Sequence, residues 1–189
     1  MLLDNLLKFS KIIGKLKSIR RSGWVSQVGV DEPESVADHS FRTTVLAMCI
    51  CDLSGAATEK IIRMILLHDI HEAQTGDFDQ KAKKQLGAHQ VRSQQRSAIK
   101  NILSLLPPKM ERQYQALWSE FEAQETYDAI LANDIDKIEM VIQALEYEKE
   151  GYDSAKLDIF WKSTRSDLKT SLVQDLFKYL ATLRERSLK

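Results

Sequence analysis

Only two cysteines, three prolines and seven glycines stand in 189 residues. So few chain breakers argue against a turn-rich all-β protein and for a mostly helical one. Cys49 and Cys51 lie two apart in an apolar helical stretch, where their side chains point roughly 200° apart. They cannot pair with each other. They read as reduced, buried thiols of a cytoplasmic protein. An excess of charge is lacking too, since Lys+Arg and Asp+Glu are both 27. That excludes broad binding to a nucleic acid polymer, which needs a basic footprint. No apolar run approaches the roughly 18 residues needed to cross a bilayer, so no membrane span is expected. The N-terminal MLLDNLLKFSKIIGKLK carries an early acid and no small-residue cleavage site. It reads as an amphipathic helix rather than a signal peptide.

What remains is helix after helix, with no repeat, no low-complexity tract and no alternating strand pattern. Helical spacing of Leu2, Leu3, Leu6, Leu7, Ile12, Ile13 and Leu16 runs to about residue 17. An irregular stretch, SIRRSGWVSQVGVDEPE, follows. A helix then begins near Pro33–Ser35 and reaches Leu53, with Gly55 as its stop. Thr58 is expected to cap the next helix, which runs on to Thr75-Gly76. After a lysine-rich connection, helices are expected over about 89–105, 109–122, 125–150 and 164–186, with Pro107-Pro108 and Gly151 as breaks. The expectation is an all-α bundle of six or seven helices forming a single domain over residues 1–189.

The chain has four histidines, and two of them fall in HDIHEAQTGD, residues 68–77. On one continuous helix His68 and Glu72 share a face, and Asp69 can converge on the same point. A third histidine, His39, sits in PESVADHS on the preceding helix. A carboxylate from NDIDKIEM, either Asp134 or Asp136, could complete the set. Imidazole nitrogen and carboxylate oxygen suit a divalent transition metal. Such an ion with open positions polarises a phosphoryl oxygen and acidifies bound water. Glu72 would orient or deprotonate the attacking water. Asp77, just past Gly76, would stand at the rim, to protonate the leaving oxygen or hold a sugar. Arg21 and Trp24 in the irregular stretch could meet a phosphate and a base. Each residue also has a plainer reading. His39 could be a core histidine, Glu72 a helix-face acid, Asp77 a cap, and Arg21 and Trp24 loop packing. His71 reads as a supporting or surface histidine, His89 as a helix-start residue, and Glu139, Glu146 and Glu148 as helix surface or support for Asp136. The lysines Lys81, Lys83 and Lys84 read as a solvated face.

The order His39, then His68-Asp69, then an Asp on a late helix resembles the HD-domain metal-dependent phosphohydrolases. The closer resemblance is to the HD-domain 5′-deoxynucleotidases. It is carried by RSGW at 21–24, PESVADHS at 33–40, LLHDIHEAQTGD at 66–77 and DIDKIEMVIQALEYE at 134–148. That resemblance implies hydrolysis of deoxynucleoside 5′-monophosphates with a divalent ion such as Mn²⁺ or Co²⁺. It implies His39, His68, Asp69 and Asp136 as ligands, with Asp136 preferred to Asp134. It makes Glu72 the water-activating residue and Asp77 its catalytic partner. Arg21 and Trp24 become the nucleotide side of the pocket, and a homodimer is implied as well. One departure is that Gly23, not an arginine, precedes Trp24, so Arg21 matches an Arg-x-Gly-Trp branch of the family. Other small phosphate esters, or nucleotide binding without catalysis, are the alternative readings.

Overall fold

A computed structural model describes residues 2–187. Ten α-helices follow one another among them: α1 (Leu2–Ile13), α2 (Val36–Ser54), α3 (Thr58–His68), α4 (Glu72–Thr75), α5 (Gln80–Leu86), α6 (Ala88–Leu103), α7 (Pro108–Ala123), α8 (Tyr127–Lys149), α9 (Ser154–Asp167) and α10 (Ser171–Ser187). A 3-10 turn at Gly14–Lys17 and a π-helical turn at Trp24–Val28 lie in the first connection. The expected all-α class holds, while six or seven helices was too few.

The extra helices have local causes. In the lysine-rich connection, the Asp79 side chain accepts from Ala82 N at 2.7 Å and starts α5. Asp153 accepts from Ala155 N at 2.9 Å and starts α9, ten residues ahead of the expected 164. The expected helix 58–75 is two helices. Its break falls after His68, whose carbonyl accepts from the Trp118 indole at 3.1 Å. Ile70, Glu72 and Ala73 then donate to carbonyls only three residues back, which tightens the chain into turns. At the front of α3, Ala57 rather than Thr58 is the cap residue. The Thr58 hydroxyl donates to Asp52 Oδ1 instead, at 3.0 Å.

Helix α8 is the axis of the bundle. It packs against α2, α3, α7, α9 and α10. Ile135, Ile138 and Val141 are fully buried on it, beside Ile61, Met64 and Ile65 of α3. A second apolar cluster joins Leu67, Ile70, Ile99, Ile102, Leu103 and Trp118 below α1. Burial of these side chains contributes about 1.5–3 kcal/mol each before chain entropy is subtracted. Cys51 is buried in the first cluster but Cys49 is exposed, so only one thiol matches its expected burial. No helix among the described residues is long and apolar enough to cross a membrane.

Two local devices aim the site. Arg21 N donates to Glu34 O at 3.0 Å, and Val36 N donates to Ile19 O at 2.9 Å. This short antiparallel pairing lays the Arg21 loop against the start of α2. Helix α2 itself opens with a reciprocal cap, in which Ser35 and Asp38 each bond the other's backbone N–H. That fixes the first turn, on which His39 sits.

Candidate active site

His39 reaches the centre from α2, His68 from the last residue of α3, and Asp136 from α8. One ligand atom from each lies within 4.8 Å of the others. Asp69, the residue at the helix break, places Oδ2 3.1 Å from His68 Nε2. The structure thus brings His39, His68 and Asp136 together, with Asp69 beside them against His68. Asp134 is turned away. Its Oδ2 accepts from Lys169 N, Thr170 N and the Thr170 hydroxyl, and so ties α8 to the start of α10.

The imidazoles are held with defined faces. His68 Nδ1 lies 2.5 Å from the Ile65 carbonyl, which can only accept, so Nδ1 carries the proton. His68 Nε2 is then the ring nitrogen that faces the carboxylates. Its approaches to Asp69 Oδ2 and to Asp136 Oδ1, at 3.4 Å, lack hydrogen-bond geometry, so this buried nitrogen has no hydrogen-bond partner. His39 is fully buried, with Nδ1 2.5 Å from Glu139 Oε2 and Nε2 2.8 Å from Asp136 Oδ1. Burial and Arg21 push the His39 pKa down, but Asp136 and Glu139 outweigh them and raise it to about 9. His68 is likewise raised against its burial by Asp69 and Asp136. Burial works against ionised Asp136 and Asp69 as well. The bond to His39 and the nearby charge of His68 hold Asp136 well below the carboxylate range, and His68 and Arg21 do the same for Asp69. The cluster is therefore built around positive charge. Two imidazole nitrogens, one of them buried without a hydrogen-bond partner, and two carboxylates are a donor set that fits a divalent transition ion.

Arg21 donates to Asp69 Oδ2 at 3.2 Å. Asp69, Asp77, Glu72 and Asp136 overcome its burial and keep the guanidinium charged. Glu72, expected on one helix face with His68, belongs instead to the short α4 beyond the break. It is nearly buried, and its Oε2 has no hydrogen-bond partner. Burial, then Asp69 and Asp77, push its pKa well above the usual carboxylate value. Asp77 follows Gly76, whose φ of 71° turns the chain. Its Oδ2 accepts from the backbone N and the hydroxyl of Ser22. His71, buried rather than at the surface, is pushed down to about 4 by burial, His68 and Lys83 against the pull of Asp69. Its ligand atoms come within 4.8 Å of those of Asp69 and Glu72. His89 lies in the first turn of α6.

All of Arg21, Trp24, His68, Asp69, Glu72, Asp77 and Asp136 line one cavity of about 330 Å³. Trp24 itself is almost fully buried, stacked on Phe160 at 4.0 Å between ring centres, with its indole N–H on Glu34 Oε1 at 3.0 Å. Phe121, Met140 and Phe160 add apolar wall, and Lys83 and Glu122 stand at the α5–α7 side. Several of these were missed in the sequence. Glu139 was read as helix surface or support for Asp136, yet it is fully buried on His39. Its position three residues after Asp136, on the same helix face, was the available signal.

Residues 13–176 match the HD domain family. The chain belongs to the HD-domain family. This HD-domain chain is 37% identical to the 5′-deoxynucleotidase HDDC2 of Dictyostelium discoideum over 184 residues, covering 92% of this chain and 95% of that one. It is 34% identical to the human protein of that name over 160 residues, covering 85% of this chain and 76% of the relative. Among solved structures it is similar to a conserved hypothetical protein from Pyrococcus furiosus. The TM-score is 0.77 at 29% identity, over 95% of this chain and 99% of the other. A protein from Magnetospirillum magnetotacticum, described as a predicted metal-dependent phosphohydrolase, gives a TM-score of 0.72 at 26% identity, over 97% and 93% of the two chains.

Proposed function

We propose that the chain is a divalent-metal-dependent phosphomonoesterase that hydrolyses nucleoside 5′-monophosphates, deoxy forms included, to nucleoside and inorganic phosphate. The observation that carries this reading is the convergence of His39, His68 and Asp136 within 4.8 Å beside a buried Glu72 oxygen that has no partner. The 5′-deoxynucleotidase relatives support the substrate class.

His39, His68, Asp69 and Asp136 would hold the ion. When bound, it supplies Lewis acidity to the phosphoryl group and lowers the pKa of water. Arg21 lies beside Asp69 and binds the phosphate oxygens as a charged fork. Glu72 orients the attacking water and takes its proton, a task suited to a carboxyl whose pKa is raised. As water adds to phosphorus, the bond to the 5′ oxygen breaks, the departing oxygen takes up the proton that Glu72 accepted from water, and Asp77 assists its departure at the rim of the site. Trp24 and Phe160 wall the nucleoside side.

The reading includes a cytoplasmic homodimer. Phe41, Val45 and Met48 form an exposed apolar stripe on α2, which a second copy could cover. Light scattering after size exclusion measures that state. Phosphate release from a panel of nucleoside monophosphates, with Mn²⁺ or Co²⁺ and again after chelation, tests the reaction. Release that stops on chelation supports it. No release with any metal leaves a nucleotide-binding regulator as the better reading.

A further inference from the structure

Arg42 lies on α2 one turn beyond His39 and does not line the cavity. Its side chain is one-third exposed, yet every guanidinium nitrogen is engaged. Nε donates to Glu139 Oε1, Nη1 to Glu146 Oε2 and Nη2 to Gln143 Oε1, each at 2.6 Å. These three acceptors stand at i, i+4 and i+7 on α8, so one arginine pins a full face of that helix to α2. Nη2 also lies 3.9 Å from Glu34 Oε2. Glu139 and Glu34 each hold a wall of the site with the other carboxylate oxygen. Glu139 Oε2 lies on His39 Nδ1, and Glu34 Oε1 accepts from the Trp24 indole. Ligand atoms of Glu34, His39 and Glu139 fall within 4.8 Å of one another, so two carboxylates crowd one imidazole. Arg42 is the cation that touches both.

We infer that Arg42 is a positioning residue that sets the metal-facing histidine and the nucleotide-facing tryptophan together. Through Glu139 it holds Nδ1 of His39 toward α8, so that Nε2 faces Asp136 Oδ1. Through Glu34 it keeps Trp24 against Phe160. Arginine suits this role because a planar fork can bridge several acceptors, which a lysine cannot. Partners that orient a ligating histidine typically contribute about 10–100-fold to metal affinity. The tryptophan half of the inference rests on the proposed nucleotide reaction; the histidine half does not.

The test titrates metal-free protein with Mn²⁺ by calorimetry and measures kcat and KM for a deoxynucleoside monophosphate. Arg42→Met weakens Mn²⁺ binding about tenfold or more and raises KM. The Arg42→Met/Glu139→Ala pair binds Mn²⁺ no worse than Glu139→Ala alone, because Arg42 acts through Glu139. Glu34→Gln raises KM while Mn²⁺ affinity stays within about twofold of the parent. Arg42→Lys is measured alongside, so a poorly folded Arg42→Met does not decide the result; it loses affinity in the same direction. Arg42 variants that keep their helical circular dichroism and bind Mn²⁺ like the parent overturn the inference, as do additive losses in the double variant. A parent that binds Mn²⁺ but hydrolyses no nucleotide removes the proposed reaction and leaves the histidine half standing. A parent that binds no Mn²⁺ overturns that half.

Discussion

Asp77 Oδ2 accepts two hydrogen bonds from Ser22, one from its backbone N–H at 2.6 Å and one from its hydroxyl at 3.0 Å. Ser22 directly follows Arg21, so this contact locks the turn after α4 to the loop that carries the guanidinium. Asp77→Ala both removes the carboxylate and frees Arg21 to drift. A displacement of about 1 Å near reacting atoms costs on the order of 10²-fold, and kcat/KM is expected to fall by at least that much. Ser22→Ala removes only the hydroxyl bond, worth roughly 1.5–3 kcal/mol to a charged acceptor, and is expected to act in the same direction by about tenfold. Steady-state kinetics on the two variants checks the order. A Ser22→Ala enzyme slower than Asp77→Ala would contradict it.

Glu72 tests the chemistry rather than the scaffold. Its Oε2 has no protein partner, so replacing it with the amide oxygen or nitrogen of glutamine breaks no hydrogen bond of the fold. Glu72→Gln is expected to lose about 10²–10⁴-fold in kcat, the usual contribution of a positioned general base. Its Mn²⁺ affinity should remain, because Glu72 is not one of the four residues proposed to hold the ion. A variant that turns over normally would remove Glu72 from the mechanism even if the enzyme activity is real.

Much of this site was legible in the sequence because its chemistry is carried by rare residue types. With four histidines in the chain, the pairing of His39 with His68 needed only two helices to pack. The break at His68 was not legible. Apolar residues and Ala73 continue helical spacing through it, and its cause is an indole fifty residues away that takes the His68 carbonyl. Local periodicity cannot report such a distant donor. The same limit hid Glu139 and Arg42. Acids and arginines on helices are ordinary surface residues until tertiary packing buries one against the other. Helix α5 escaped notice for a different reason: it has seven residues, none of them buried, and an Asp cap starts it, and the first ten residues of α9 likewise follow an Asp cap.

Asp134 and Asp136 stand two apart on α8 and do opposite work. Asp136 accepts from His39 in the site, whereas Asp134 accepts three bonds from Lys169 and Thr170. Asp136→Ala is expected to abolish tight Mn²⁺ binding with little loss of helix content. Asp134→Ala is expected to bind Mn²⁺ normally but to lose stability. It orphans two buried or half-buried backbone N–H groups, at about 1–3 kcal/mol for an unsatisfied group. In a chain of this size each kcal/mol lowers Tm by roughly 2–4 °C. Calorimetric titration and thermal melts on the two variants separate the roles. A metal-free Asp134→Ala protein with a parent-like melt would exchange them.

The two cysteines give a direct check on the packing of α2. Cys49 is exposed, whereas Cys51 is buried against the core that α2 shares with α3 and α8. Burial, then Asp52 and Asp128, raise the Cys51 thiol to about 11. At pH 8 only about one in a thousand of its molecules is then the reactive thiolate. A colorimetric disulfide reagent at that pH is expected to titrate one fast thiol per native chain and two in denaturant. Cys49→Ser should abolish the fast phase, and Cys51→Ser should leave it. Raising the pH toward 11 increases the Cys51 thiolate, so its slow reaction should quicken across that range while Cys49 is already spent. Two fast thiols at pH 8 would mean that α2 does not lie on α3 as described, and the placement of His39, about three turns nearer the start of the same helix, would fall with it.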